Sequence, residues 1–504
     1  MPPRTFARSL LASSVIGLVL GCDPVSPAEG TLAPSAPDDS VDAEIRAPKR
    51  PRRDAGVGNT DAAVDAGSPV VVDAGSPVAV DAGSPVVVDA GSPVVVDAGQ
   101  PPTSSFVHPG ILVGKPQLDF VKAKIAAGQE PWLSAFNKMK SSSLASKTYV
   151  PKPVPKLMCS TSVGLGEGFP QAGCAELNAD AAAVYVQALM GYFTGDAAYA
   201  NKAVAIMNAW STTLKEIPYD QPRTSNGEPA YWQNLLVVGW ATETMTRGAE
   251  IIRYTSTAMP AADIARLEAF FKTLFYPLLS TYTAGGAGNG GMTWTEAIMN
   301  IGIYTNDRAI FDKGVSWFRN KSKELVYLTS DGAKPPMPVD MNTGKVIWGT
   351  VDIHWRYPTS YINGLETETC RDMGHTFMGL GAWANIAETA RLQRLDLYAE
   401  QKERFIAAFE RNTSYVNQML DQMATTQQTA AQLTATSWVP SSWPCSDFKD
   451  GGGSAFLGLE LALNHFSTRL GVPMPNTQVL AARKRSQSGG NHLFFETLTH
   501  HGVP

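Results

Sequence analysis

From about residue 108 onward, apolar positions recur with helical spacing. Tyr199, Ala203, Ile206, Trp210 and Leu214 follow steps of four, three, four and four, which trace one face of an amphipathic helix. Its start is marked by Phe193-Thr194-Gly195-Asp196. Gly195 suits the left-handed end of a preceding helix, and Asp196 suits the cap of the next. Two antiparallel helices are predicted to meet there. The same junction returns 111 residues later: Tyr304-Thr305-Asn306-Asp307 matches Phe193 to Asp196, and Ala309, Lys313 and Val315 match Ala198, Lys202 and Val204. A repeated helical hairpin is the signature of an α/α solenoid or toroid. Further helices are predicted near 117–140, 177–194, 230–255, 261–280, 292–305, 373–392, 396–425 and 454–470, and period-two stretches are scarce. The expected class is all-α, five or six hairpins wrapped into a ring or horseshoe, with loops at one end framing a cleft.

The first fifth of the chain has no such pattern. Residues 1–22 carry Arg4 and Arg8, an apolar stretch from Leu10 to Leu20, and then Gly21-Cys22. That stretch is too short to span a bilayer and reads as the export signal of a bacterial lipoprotein, with Cys22 as the lipidated residue. The chain is then expected to be anchored to the cell envelope. Residues 23–104 contain the eight-residue repeat Asp-Ala-Gly-Ser-Pro-Val-Val-Val, which puts Asp65, Asp73, Asp81, Asp89 and Asp97 in register. With Pro and Gly in every unit it cannot build a core and is expected to be an extended spacer. Residues 105–504 remain as the folded domain.

Charge divides along the same boundary. Residues 23–104 hold 13 acidic and 5 basic side chains, whereas residues 105–504 hold 33 and 34. A near-neutral domain gives no reason to expect nucleic acid, so attraction to a polyanion must be local to a cleft. Export places four further cysteines in an oxidising compartment. The short loop between Cys159 and Cys174 favours that pair, which leaves Cys370 with Cys445; free thiols are the alternative.

Three segments combine polar or aromatic side chains with helix starts: 226–240, 285–294 and 354–375. In the last, Arg371 and His375 lie four apart, hence on the same face of a helix. The guanidinium fork suits a carboxylate, and its charge helps keep an imidazole neutral. The alternative is an arginine paired with Glu368 or Asp372 and a histidine satisfied in the core. Zinc, redox, esterase and nucleotide-binding signatures are missing, and no cofactor is called for.

At this point the chain resembles the alginate-lyase superfamily of (α/α) toroid lyases. The resemblance rests on His108-Pro109-Gly110-Ile111, on Glu250 to Tyr254, on Asn289 followed by Glu296 to Tyr304, and on Tyr361-Ile362-Asn363-Gly364 through Glu368 to His375. It implies β-elimination on an acidic polysaccharide containing uronic acid. Asn289 and Arg371 fall on residues that neutralise the substrate carboxylate, and His375 becomes general base or carboxylate partner. The family's pattern has a histidine after the asparagine and a tyrosine seven residues beyond the arginine. This chain has Gly290 and Met378 there. Tyr361 or Tyr357, with Tyr231 a weaker candidate, is therefore expected to supply the phenol for the leaving oxygen, and Tyr361 is assigned the catalytic role. Tyr231, Trp232, His354, Trp355 and Tyr357 are expected to contact sugar.

Two other readings remain. A toroid glycoside hydrolase needs two carboxyl groups facing across a cleft, and Glu368 and Asp372 at four-residue spacing on one helix would not provide them. A glycan-binding toroid that has lost its chemistry would fit Gly290 and Met378.

Overall fold

A computed structural model describes residues 105–159, 171–218, 233–281, 288–346, 349–451, 456–485 and 495–504. The export signal with Cys22, the repeat segment, Tyr231 and Trp232 lie outside them. The described residues are helical apart from a two-stranded hairpin, β1 (Gly110–Ile111) and β2 (Val113–Gly114), and a few isolated bridges.

The main helices are α1 (Lys115–Ala126), α2 (Trp132–Ser141), α3 (Cys174–Thr194), α4 (Ala197–Thr213), α5 (Gln233–Thr255), α6 (Ala261–Phe270), α7 (Asn289–Tyr304), α8 (Arg308–Leu325), α9 (Met373–Leu392), α10 (Lys402–Thr426) and α11 (Pro475–Lys484). The predicted helix at 117–140 is two, interrupted where Gly128 takes a left-handed φ of 67° and Pro131 follows. That at 396–425 splits into Leu397–Glu400 and α10, and that at 454–470 begins at Leu459 and continues as a π-helix from Leu463. The helix predicted at 261–280 runs on from α6 through a π turn to Thr281.

Packing sorts these helices into two layers. Helix α3 packs on α5, α5 on α7 and α7 on α9, while α4 and α8 pair outward with α3 and α7. Every residue of α7 from Met292 to Tyr304 is buried, as is every residue of α9 from Met373 to Ala390. Such helices, covered on all sides, form the inner layer. Helix α8 is two-faced: Phe311, Val315 and Phe318 face inward while Asp312, Ser316 and Arg319 face water. Contacts continue from α9 through Leu459–Ala462 to Glu496–His500 and then to α1, which touches α3. This is the all-α toroid of helical hairpins expected from the repeat.

The repeated junction takes the predicted form in both copies. Gly195 has φ 73° and Asp196 accepts from the Ala198 amide; Asn306 has φ 51° and Asp307 accepts from the Ile310 amide. Gly302 lets α7 and α8 meet at backbone distance, since a Cβ there would stand 2.4 Å from the Phe311 nitrogen. Both disulfides form as expected, Cys159 with Cys174 and Cys370 with Cys445, at Cα separations of 5.6 and 5.3 Å.

Candidate active site

Asn289 is the first residue of α7 and is buried. Its backbone N–H and its Nδ2 both donate to Glu368 Oε2, at 2.8 and 2.7 Å. The other carboxylate oxygen, Oε1, accepts from Arg371 Nη1 at 2.9 Å. Two residues far apart in sequence thus converge on one buried carboxylate. Burial opposes charge on Glu368, but Arg371, His375, Arg356 and the Asn289 amide outweigh it and hold the carboxyl down to about 2.

Arg371 does not share a helix with His375, contrary to the sequence expectation. Asp372 has an extended backbone and caps α9, so the helix starts at Met373 and Arg371 stands in the turn before it. Glu368 also lies in that turn, not on a helix with Asp372. Asp372 Oδ1 accepts from the His375 amide at 2.8 Å, and Oδ2 meets His375 Nδ1 at 2.7 Å. The His375 contacts and nearby Arg371 keep Asp372 ionised against the cost of its burial. An ionised carboxylate only accepts, so the His375 proton is assigned to Nδ1. In the neutral imidazole Nε2 is then the acceptor nitrogen, and it has no partner among the described residues.

Glu366 lies beneath this pair, accepting from the Glu368 amide at 2.7 Å. Burial, with Glu368 and Asp372 close by, pushes its carboxyl well above the usual range. Arg356 approaches from a different segment. It is exposed to solvent, yet enough protein surrounds it that desolvation opposes its charge. The wall of a concavity produces that combination.

The remaining sequence candidates distribute differently. Trp355 is not a sugar platform: it is 1% exposed and packs with Tyr327 and Leu365. Tyr361 donates its hydroxyl to Asp352 at 2.7 Å and packs its ring on Tyr327 and Trp355, which assigns it to a neighbouring pocket and not to the Glu368 network. That pocket, about 500 Å³, is lined by Lys334, Thr350, Asp352, Tyr357 and Tyr361. Tyr357 is 52% exposed at its edge. His354 is half-buried, and its carbonyl accepts from the Thr367 hydroxyl at 3.1 Å. Gly290 faces Leu236 and Trp294, both 3.3 Å from where a Cβ would stand, and Met378 is buried in α9. Among the described residues, no group of three or more His, Cys, Asp or Glu side chains is arranged to hold a metal.

Sequence reasoning assigned Asn289, Arg371 and His375 to one site, and the structure brings them together. It missed that Glu368 is the hub and Asp372 the orienting residue, both weighed only as an ion-pair partner or a hydrolase acid. An acidic residue just before a helix start was the available signal for Asp372. Arg356 stands in the polar run His354-Trp355-Arg356, which the sequence offers as a lining of the cleft, whereas nothing marked Glu366 individually.

A family model described as alginate lyase matches residues 170–334. No curated protein matches the sequence. Among solved structures, alginate lyase A1-III from Sphingomonas species A1 aligns with a TM-score of 0.51 at 14% identity, over 80% of this chain and 99% of that one. An alginate lyase from Bacteroides ovatus aligns with a TM-score of 0.49 at 14% identity, over 78% and 99%. A variant of A1-III complexed with a tetrasaccharide aligns with a TM-score of 0.48 at 15% identity, over 78% and 99%. The Sphingomonas lyase and this chain share the helical toroid fold.

Proposed function

We propose that this chain is a polysaccharide lyase that cleaves a uronate-containing glycan of the alginate type by β-elimination. The observation that carries the reading is the convergence of Asn289 and Arg371 on Glu368, beside a histidine oriented by Asp372. The alginate-lyase match over residues 170–334 and the toroid fold support it.

The chemistry follows from which hydrogens remain available. Glu368 engages one N–H of the Asn289 amide and one of the Arg371 guanidinium, and so fixes both groups. The second amide N–H and the other guanidinium N–H groups are left for a substrate carboxylate. As the C5 proton departs, negative charge gathers on that carboxylate, and donors already in place lower the barrier without reorganising. His375 Nε2 accepts the proton. The C5–H electron pair becomes the C4=C5 bond, the C4–O4 bond breaks, and the imidazolium returns its proton to O4. In this scheme one histidine serves both transfers, and Tyr361 is not required.

The competing reading, a glycan-binding toroid without turnover, draws on Gly290 and on the engagement of Tyr361 with Asp352. Ultraviolet absorbance of the unsaturated product separates the two. Wild-type chain on alginate, polymannuronate, polyguluronate and glucuronan is expected to raise it, and His375→Ala to lower kcat by about 10²- to 10⁴-fold. Binding without any rise would sink the lyase reading. For the envelope, we propose export and lipid anchoring through Cys22, with residues 23–104 as the spacer. Labelled palmitate incorporated by the wild type and not by Cys22→Ala would support this, and equal labelling would refute it. Among the described residues, no helix is long and apolar enough to cross a membrane.

A further inference from the structure

Immediately after the short helix Val351–His354, two successive non-glycine residues, Arg356 and Tyr357, have φ of 59° and 55°. L side chains seldom adopt this conformation, and consecutive instances persist only where surrounding structure imposes them. Here the imposing contacts are visible. Trp355 is held in the cluster with Tyr327 and Leu365, the His354 carbonyl is tied to Thr367, and Thr359 donates twice to the Pro444 carbonyl, at 2.7 and 2.9 Å. Pro444 adjoins Cys445, the disulfide partner of Cys370, so the corner and the turn bearing Glu368 and Arg371 share one anchor.

The two side chains at this corner serve different surroundings. Tyr357 edges the pocket that holds Lys334 and Tyr361. Arg356 makes no hydrogen bond or ion pair among the described residues, although Glu368, Asp372 and Glu366 all lie within electrostatic range. Those three have their direct contacts elsewhere: Glu368 with Arg371 and Asn289, Asp372 with His375, and Glu366 with the Glu368 amide. Arg356 is therefore the cation of this cluster whose hydrogen-bond donors stay unengaged among the described residues.

We propose that the Arg356–Tyr357 corner grips an acidic glycan across two neighbouring sugars, Arg356 binding a uronate carboxylate beside the Glu368 network and Tyr357 stacking on the next ring at the mouth of the Lys334–Tyr361 pocket. This rests on the uronate-lyase reading and adds to it a second subsite and the group that selects for charge. The guanidinium supplies a bidentate fork, and the phenol ring a half-exposed face of the kind sugars cover. A chain gripped on both sides of the corner is at least two residues long, so short substrates lose part of the grip.

The test uses the full chain as wild type, Arg356→Ala, Arg356→Lys and Tyr357→Ala. Each is titrated calorimetrically with alginate disaccharide, alginate tetrasaccharide and carboxyl-reduced tetrasaccharide, and turnover is followed on the same ligands. Thermal melts confirm folding. Arg356→Ala is expected to weaken binding of the charged tetrasaccharide by about 10- to 100-fold, the range for one charge-assisted contact, with KM rising more than kcat falls. It should leave the reduced ligand unaffected, and Arg356→Lys should recover part of the loss. Tyr357→Ala is expected to weaken the tetrasaccharide and the disaccharide alike, by about tenfold, since both span the corner. Turnover by the wild type with unchanged affinity in Arg356→Ala overturns this inference and leaves the lyase reading standing. Binding without turnover in the wild type, lost in Arg356→Ala, removes the lyase reading and keeps the grip; no binding of any polyuronate removes both.

Discussion

The two ends of α7 carry nearly the same side chains and do opposite things. At its start, Asn289 meets Glu368, which also holds Arg371, with the Asp372–His375 pair following in the same turn. Seventeen residues later, just past the end of a helix about 24 Å long, Asn306 meets His108, whose neighbours are Glu250, Arg253 and Tyr254. In the second group both nitrogens of the histidine are engaged. His108 Nδ1 reaches Glu250 at 3.0 Å, Nε2 reaches Asn306 Oδ1 at 3.0 Å, and one ring face is stacked on Tyr254. Arg253 binds Glu268 and the Tyr304 carbonyl. In the first group His375 uses one nitrogen, Arg371 is 37% exposed at its side chain, and Arg356 has no partner among the described residues. Residue type alone does not make a site; capacity left over does.

The sharpest break in this comparison is Glu250→Ala. It strips a fully buried carboxylate from His108 and from the Gly110 amide, and is expected to cost about 3 to 5 kcal/mol in urea unfolding while the folded fraction keeps its turnover. A loss below 1 kcal/mol would mean that the two ends do not differ as described.

Glu368→Gln probes the charge at the open end. A carboxyl held near 2 when folded, against 4.5 as its ordinary value, adds stability that is complete above the unfolded value and disappears as pH falls through the folded one. Wild type should therefore lose about 3 kcal/mol between those values that Glu368→Gln does not lose. Parallel pH–stability curves would refute this.

Arg371→Ala should reverse the pattern of Glu250→Ala. With the guanidinium itself 37% exposed and Asn289 still donating twice to Glu368, the change is expected to cost about 1 to 2 kcal/mol in stability, less than Glu250→Ala, and about 10²-fold in kcat/KM. Equal activity loss in the two variants would erase the distinction.

The smallest effect belongs to His108→Gln. Burial works against protonation of His108, but the Glu250 carboxylate outweighs it and raises the imidazole above 6.5. Burial also pushes Glu250 up, so the pair competes for a proton; we place it on His108 because both ring nitrogens face acceptor oxygens. A raised histidine stabilises fully below its unfolded value and stops doing so as pH rises through the folded one. As pH rises from 6.5 through the folded value, wild type should lose a small amount of stability that the glutamine variant does not.

The helical repeat was legible because its punctuation is local: Gly195-Asp196 and Asn306-Asp307 dictate a left-handed residue and a cap whatever surrounds them. The cysteine pairs followed from loop length. The position of Arg371 was not legible, because spacing assumes an uninterrupted helix and Asp372 begins a new one. Trp355 was misread because an indole that packs a core and one that carries a sugar look alike in sequence. Glu368 was undervalued for a related reason: its partner Asn289 is 79 residues away, and no local pattern records that distance.

The disulfide between Cys370 and Cys445 also sets an order of assembly. A chain made from its N-terminus presents Asn289 first and the Glu368–His375 turn some eighty residues afterward. The covalent tie to that turn must wait until a further 75 residues have been added. The His108 lock needs nothing beyond Asn306. During synthesis, then, one end of α7 has all its partners while the other still awaits a cysteine not yet translated.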